Sequence, residues 1–201
     1  MLVLNCEEGP ADHIHRAVDV LRSGGVVVYP TDTVYGMGCD LLNKRAVENI
    51  YQIKKIPRRK PLSFICSDLS QIAEYAQLSN AAYNMMRRLT PGPFTFILRA
   101  TRLVPKMMMT RQRTVGIRVP DNVICLQLVQ ALGHPLVNTS ASDSMDEVVS
   151  DPDTIMEAYP QIDLMLTAGL LESEPSTMVD FTGDEPVMVR QGKGDLTAYL
   201  V

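Results

Sequence analysis

The sequence predicts an α/β domain of the mixed α+β kind, and three observations carry that prediction. Short apolar, β-branched runs alternate with helical patterns along the chain, as in a sheet flanked by helices. With 201 residues and 46% hydrophobic content, the chain is long enough to bury one good core, and residues 1–201 read as a single domain. No internal repeat, low-complexity tract or linker divides it.

The first helix is predicted over Ala11 to Arg22, where Ile14, Ala17, Val18 and Leu21 share one face and Gly24-Gly25 supplies the stop. Val26 to Tyr29 follows as a buried strand. Asn43 is a good N-cap for a helix running to about Ile53, with Ala46, Val47, Ile50 and Tyr51 turned inward. Pro57 limits that helix, so residues 54–60 form its exit and a loop into a strand from Leu62 to Cys66. Further helices are predicted at Asp68 to Ala76, Ala81 to Leu89, Asn122 to Leu132 and Thr154 to Tyr159. Strands are predicted at Phe94 to Leu98, Val115 to Val119, Leu136 to Asn138, Asp163 to Leu166, Met178 to Phe181 and Val187 to Arg190. The Ser- and Asp-rich stretch Ser140 to Asp153 reads as a flap or a long connection. Met107 to Met109 read as adaptable packing.

Composition removes several function classes. No apolar run of about 18 residues is present to span a membrane, and Met1 to Glu8 lack the basic and apolar regions of a signal peptide, so the expected location is cytoplasmic. Cys6, Cys39, Cys66 and Cys125 lie far apart with no Cys-x-x-Cys pair, which favours free, mostly buried thiols over zinc or a disulfide framework. His13 and His15 point to different faces of one helix and His134 stands alone, so no metal site is expected. A Walker loop, a dinucleotide fingerprint and a Gly-x-Ser-x-Gly elbow are all missing.

Charge gives the positive signal. Residues 44–118 hold 15 of the 19 Lys and Arg against Glu48, Asp68 and Glu74, which is +12 there and −16 elsewhere for a formal total of −4. Five of those cations, Lys54, Lys55, Arg58, Arg59 and Lys60, fall within seven residues. Such segregation attracts and orients phosphates or polyanions, although basic runs also occur as solvated helix ends. Tyr29 to Gly38 sets hydroxyls, Asp32 and two glycines just after a buried strand, either a presented binding loop or a polar turn. Arg118, emerging from a strand, is suited to clamp a carboxylate or phosphate, or to make a surface ion pair. Gly192-Lys193-Gly194 reads as a turn.

Taken together, Tyr-Pro-Thr-Asp-Thr-Val-Tyr-Gly at 29–36, Leu89 to Thr95, Thr114 to Pro120, Pro175 to Asp180 and Val189 to Gly192 resemble the YrdC family of threonylcarbamoyl-adenylate synthases, especially its YciO-like branch. The resemblance covers nearly the whole chain. It implies a single YrdC-like domain, a twisted mixed β-sheet flanked by helices, with a positively charged concave surface. It also implies condensation of L-threonine, bicarbonate and ATP to threonylcarbamoyl-AMP and pyrophosphate, the first step toward threonylcarbamoyl-adenosine in tRNA. Magnesium would accompany ATP, held mainly by the phosphates. By matched position Thr33, Arg118, Ser140 and Ser176 would contact threonine, and Lys54, Thr114, Ser142 and Arg190 the nucleotide, with Lys54 and Arg118 as catalytic residues.

Two positions depart from that family's pattern. Ile56 stands where the family carries the arginine of a Lys-x-Arg pair, and Ser142 where a Ser-x-Asn motif places its amide. Each lost charged hydrogen bond costs on the order of 1.5–3 kcal/mol, so impaired rather than absent synthase activity is expected. Arg58, Arg59 or Lys60 could fill the arginine's place. Otherwise Lys55, Arg58, Arg59 and Lys60 form a patch for RNA phosphates. The competing functions are a non-catalytic protein binding tRNA or double-stranded RNA, and an enzyme forming an adenylate of another small acid.

Overall fold

A computed structural model of the chain describes residues 1–6, 11–141, 149–172 and 174–197. Eleven strands form one mixed sheet among these residues. They are β1 (Leu2–Asn5), β2 (Val27–Tyr29), β3 (Gly36–Asp40), β4 (Ser63–Ile65), β5 (Ala76–Gln77), β6 (Phe94–Ala100), β7 (Thr114–Arg118), β8 (Leu136–Ser140), β9 (Leu164–Thr167), β10 (Thr177–Asp180) and β11 (Val187–Arg190). Their order is β1-β9-β2-β3-β8-β4-β7-β6-β10-β11, with β5 on β6. The β1·β9, β2·β9, β4·β7 and β6·β10 pairs are parallel, whereas β3 and β8 run antiparallel to their neighbours in the sheet's middle.

Among the described residues six α-helices flank the sheet: α1 (Ala11–Arg22), α2 (Lys44–Ile53), α3 (Leu69–Tyr75), α4 (Asn80–Leu89), α5 (Val123–Leu132) and α6 (Pro152–Ala158). Strand side chains alternate between faces, and here the faces have different fates. Phe94, Phe96 and Leu98 of β6, Val115 and Ile117 of β7, Phe64 of β4 and Met37 of β3 join one core with the buried sides of α2, α3, α4 and α6. On the opposite face, Val27 and Tyr29, Ile65, Leu136, Leu164 and Leu166 pack under α1 and α5. Helices α1 and α5 cover only that end. Further along the same face the strands present Ser63, Thr95, Gly116, Arg118 and Asn138 to a cleft.

The predicted elements are present, and three strands were not foreseen. Helix α1 spans the predicted residues, and the Asn43 side chain caps α2 by accepting from Ala46 N at 3.1 Å. Helix α6 starts at Pro152, two residues before the predicted Thr154, because Asp151 caps it and proline suits the first turn. β1 belongs to no predicted element, β5 begins at Ala76, where the predicted helix Asp68 to Ala76 ends, and β3 starts inside the stretch Tyr29 to Gly38 that reads as a binding loop or turn and runs on to Asp40. Glycines 36 and 38 weaken the strand signal of β3 but serve its packing. A Cβ at Gly36 would stand 2.7 Å from the Tyr29 ring, and one at Gly38 2.9 Å from the Tyr29 hydroxyl. Tyr29 therefore lies flat across β3 and donates from its hydroxyl to Asn138 Oδ1 at 2.8 Å.

Among the described residues no helix is long and apolar enough to cross a membrane. All four cysteines are buried and free.

Candidate functional site

The cleft has a volume of about 650 Å³ and is built from strand ends and the loops that follow them. Its floor follows from alternation on β7: Val115 and Ile117 enter the core, so Thr114, Gly116 and Arg118 face the cleft. Gly116 keeps the centre open. A Cβ there would press on Ser63 Cβ at 3.3 Å and Thr95 Cγ2 at 3.4 Å, side chains of the two flanking strands.

Arg118 is 4% exposed. Its Nη1 donates to Thr33 Oγ1 at 2.8 Å, and its Nη2 pairs with Asp32 Oδ1. Burial pulls the guanidinium's pKa down and the Asp32 carboxylate pushes it back up. An arginine stays charged under such opposing effects. The loop bearing both partners is fixed by its own threonines: Thr31 Oγ1 donates to Val34 O at 2.6 Å and accepts from Thr33 N at 3.2 Å. From the other side, Lys193 Nζ donates to Asp32 O at 3.0 Å and pairs with Glu172. The Gly192-Lys193-Gly194 turn thus braces the loop that holds Arg118.

Ser176 Oγ and Thr95 Oγ1 lie 2.8 Å apart, and the Ser176 carbonyl accepts from Arg190 Nη2 at 2.8 Å. Thr114 pairs its hydroxyl with that of Thr110 at 2.6 Å. Lys54 Nζ donates to the Tyr159 hydroxyl at 3.0 Å. Lys54, Lys60, Arg118 and Arg190 line the cleft, with Asp180 the one carboxylate among its described lining residues. The arrangement is chemically suited to anions: cations surround hydroxyls able to donate or accept, and Ile56, Leu62, Ile97 and Met178 add apolar wall.

Of the sequence-predicted site residues, Thr33, Lys54, Thr114, Arg118, Ser140, Ser176 and Arg190 converge on this cleft. Ser142 lies outside the described residues. Ile56 lines the cleft, half-buried against the core. Of the expected substitutes for the missing arginine, Arg58 and Arg59 are absent from the described lining, as is Lys55 of the same run, and Arg58 faces Glu48 at 3.6 Å. Lys60, the third of those candidates, is the member of the run that joins Lys54 in the cleft. Sequence reasoning also passed over Thr95, Asn138, Tyr159 and Asp180. Thr95 was within reach, since Phe94, Phe96 and Leu98 alternate with it. Tyr159 had no local signal, because it meets Lys54 from 105 residues away.

The chain is similar to known proteins in sequence and in fold. Residues 19–192 match the Sua5/YciO/YrdC family model, whose description is "Telomere recombination". An uncharacterized protein of Haemophilus influenzae is 41% identical over 198 residues, covering 96% of each chain. The crystal structure of E. coli YciO superposes with a TM-score of 0.92 at 37% identity, covering 99% of this chain and 98% of that one. P. abyssi Sua5 complexed with L-threonine gives a TM-score of 0.89 at 28% identity, covering 96% of this chain and 58% of that one. The chain belongs to the Sua5/YciO/YrdC family.

Proposed function

We propose that the cleft binds ATP and L-threonine and forms threonylcarbamoyl-AMP at an attenuated rate. The buried Arg118 held by Thr33 and Asp32 at the cleft floor carries this reading, because it is a preorganised carboxylate site beside a second set of cations. The L-threonine complex of P. abyssi Sua5 supports it by relation.

Threonine would be oriented by Arg118, Thr33, Ser140 and Ser176. Its neutral amine attacks the carbon of bicarbonate, and the C–OH bond breaks with loss of water, which carries off an amine proton, to give a carbamate. A carbamate oxygen then attacks the α-phosphorus of ATP, and the bond to the bridging oxygen breaks to release pyrophosphate. Lys54, Thr114 and Arg190 would hold the phosphates and offset charge on the leaving group. Magnesium enters as MgATP, since Asp180 alone is too little for a protein-built cage. Ile56 contributes no charge, which accounts for attenuation.

Pyrophosphate release in ATP, magnesium and bicarbonate, with and without threonine and across a panel of other amino acids and carboxylates, tests the assignment. Threonine dependence supports it. Dependence on a different acid instead reassigns the substrate, and no dependence on any acid overturns synthase activity.

A second reading rests on Lys55, Arg58 and Arg59, which are exposed outside the described cleft lining. These cations suit the backbone of tRNA or double-stranded RNA. Such binding would weaken steeply with salt as counterions are released. A flat salt profile would count against it.

A further inference from the structure

The Gly192-Lys193-Gly194 turn lies outside the described cleft lining, yet its geometry serves the site through one side chain. Its backbone is seated on the residues that open β10. Lys193 N donates to Pro175 O at 2.9 Å, Gly192 N to Thr177 Oγ1 at 2.9 Å, and Thr177 Oγ1 to Gly194 O at 2.7 Å. Thr177 is fully buried, so the turn has a fixed base. Both glycines allow this close approach: a Cβ at Gly192 would collide with Pro175 O, and one at Gly194 with the Phe94 ring. From that base the Lys193 side chain crosses to the loop before β3.

There it holds one end of a peptide plane whose other end is held as well. Lys193 Nζ donates to Asp32 O at 3.0 Å, and the N–H of the same peptide, that of Thr33, donates to Thr31 Oγ1 at 3.2 Å. A planar peptide pinned at its carbonyl and at its N–H cannot rotate without breaking one of the two bonds. The side chains that flank it, Asp32 and Thr33, are the partners of Arg118. Because the Thr31 proton is committed to Val34 O at 2.6 Å, the Thr33 hydroxyl donates to Thr31 Oγ1 at 3.1 Å and keeps its lone pairs for Arg118. Lys193 thus acts on the buried guanidinium through a single peptide.

We propose that Lys193 is a positioning residue for the acid site: it fixes the Asp32–Thr33 peptide so that Arg118 is preorganised for a carboxylate, without touching substrate itself. The proposal rests on the carboxylate reading of Arg118 given above. Such preorganisation lowers the cost of ordering the site when the acid binds, so its loss appears in acid affinity. The cations assigned to the nucleotide are held elsewhere, Lys54 by the Tyr159 hydroxyl and Arg190 by Ser176 O, so ATP affinity does not follow. Glu172 contributes little, because its side chain is 69% exposed and that of Lys193 34%. The Asp32 carbonyl is the contact that matters.

The test compares wild type, Lys193→Met, Lys193→Arg and Glu172→Gln by amide exchange at Thr33, affinity for L-threonine and affinity for ATP. Lys193→Met is expected to speed exchange at Thr33 and to weaken threonine binding roughly fivefold, the loss of one hydrogen bond. ATP affinity and the unfolding midpoint should stay near wild type. Lys193→Arg should recover most of the loss, and Glu172→Gln should match wild type. Unchanged threonine affinity in Lys193→Met, beside a wild type that binds threonine, overturns the role of Lys193 and leaves the acid site standing. Weaker threonine binding without faster exchange at Thr33 overturns it too, since Lys193 would then act by another route. Equal losses for ATP and threonine do the same, because the effect would be general. Absence of threonine binding by the wild type overturns the acid-site reading and this proposal together.

Discussion

Arg118 and Thr33 are joined by a 2.8 Å hydrogen bond from Nη1 to Oγ1, across 85 residues of sequence, and the same guanidinium pairs with Asp32 through Nη2. Two residues of one loop therefore meet one side chain of a central strand. Removing the cation would leave Asp32 partly buried without its partner. Arg118→Met is expected to cost about 3–5 kcal/mol of stability, read by denaturant unfolding. Arg118→Lys retains charge but cannot reproduce the planar fork. It should stay folded and lose roughly ten to a hundredfold in threonine-dependent kcat/KM. A lysine variant with wild-type activity would remove Arg118 from the site.

Much of this site was legible because its residues sit at strand ends. Arg118 was legible as a guanidinium emerging from a predicted strand, Thr114 came from the family resemblance, and Asn43 announced α2. Strand β3 was hidden since glycines 36 and 38 are there for the Tyr29 ring, a tertiary requirement that no local propensity reports. The basic run misled for a related reason. Charge counting treats Lys55, Arg58, Arg59 and Lys60 alike, whereas in the fold Arg58 faces Glu48 and Lys60 lines the cleft.

Ile56→Arg tests whether that position limits the reaction. The new side chain would start from a half-buried place in the cleft wall beside Lys54. Threonine-dependent pyrophosphate release is expected to rise roughly tenfold, the equivalent of one charged hydrogen bond. Loss of the apolar contact should lower stability by about 1–2 kcal/mol. An unchanged or lower rate in a folded variant would show a pocket rebuilt for other chemistry.

Tyr159 governs the direction of Lys54. Its hydroxyl accepts from Lys54 Nζ at 3.0 Å while its ring is buried, so Tyr159→Phe removes the contact and keeps the packing. A net loss near 1 kcal/mol corresponds to a roughly fivefold rise in the KM for ATP. The KM for threonine and the unfolding midpoint should change little. A matching change in both KM values would make Tyr159 a general structural residue instead.

Alkaline conditions should weaken the fold through its thiols. Burial pushes the pKa values of Cys39, Cys66 and Cys125 well above that of a free thiol, and that of Tyr29 well above that of a free tyrosine. In the unfolded chain a thiol titrates near pH ~8.5 and a tyrosine near ~10. Below those values both states hold the protons, and the full stabilisation is present. Above pH ~8.5 the unfolded state releases protons that the folded state keeps, so stability falls as pH rises toward the folded values. Each buried thiol contributes up to roughly 1.4 kcal/mol per pH unit in that window. Thermal midpoints between pH 7.5 and 10 should decline, and Cys39→Val should make the decline shallower even if it shifts the midpoint itself. A thiol reagent should react slowly with the native protein and rapidly with all four cysteines in denaturant. A pH slope unaltered in Cys39→Val would mean that this thiol does not carry the linkage.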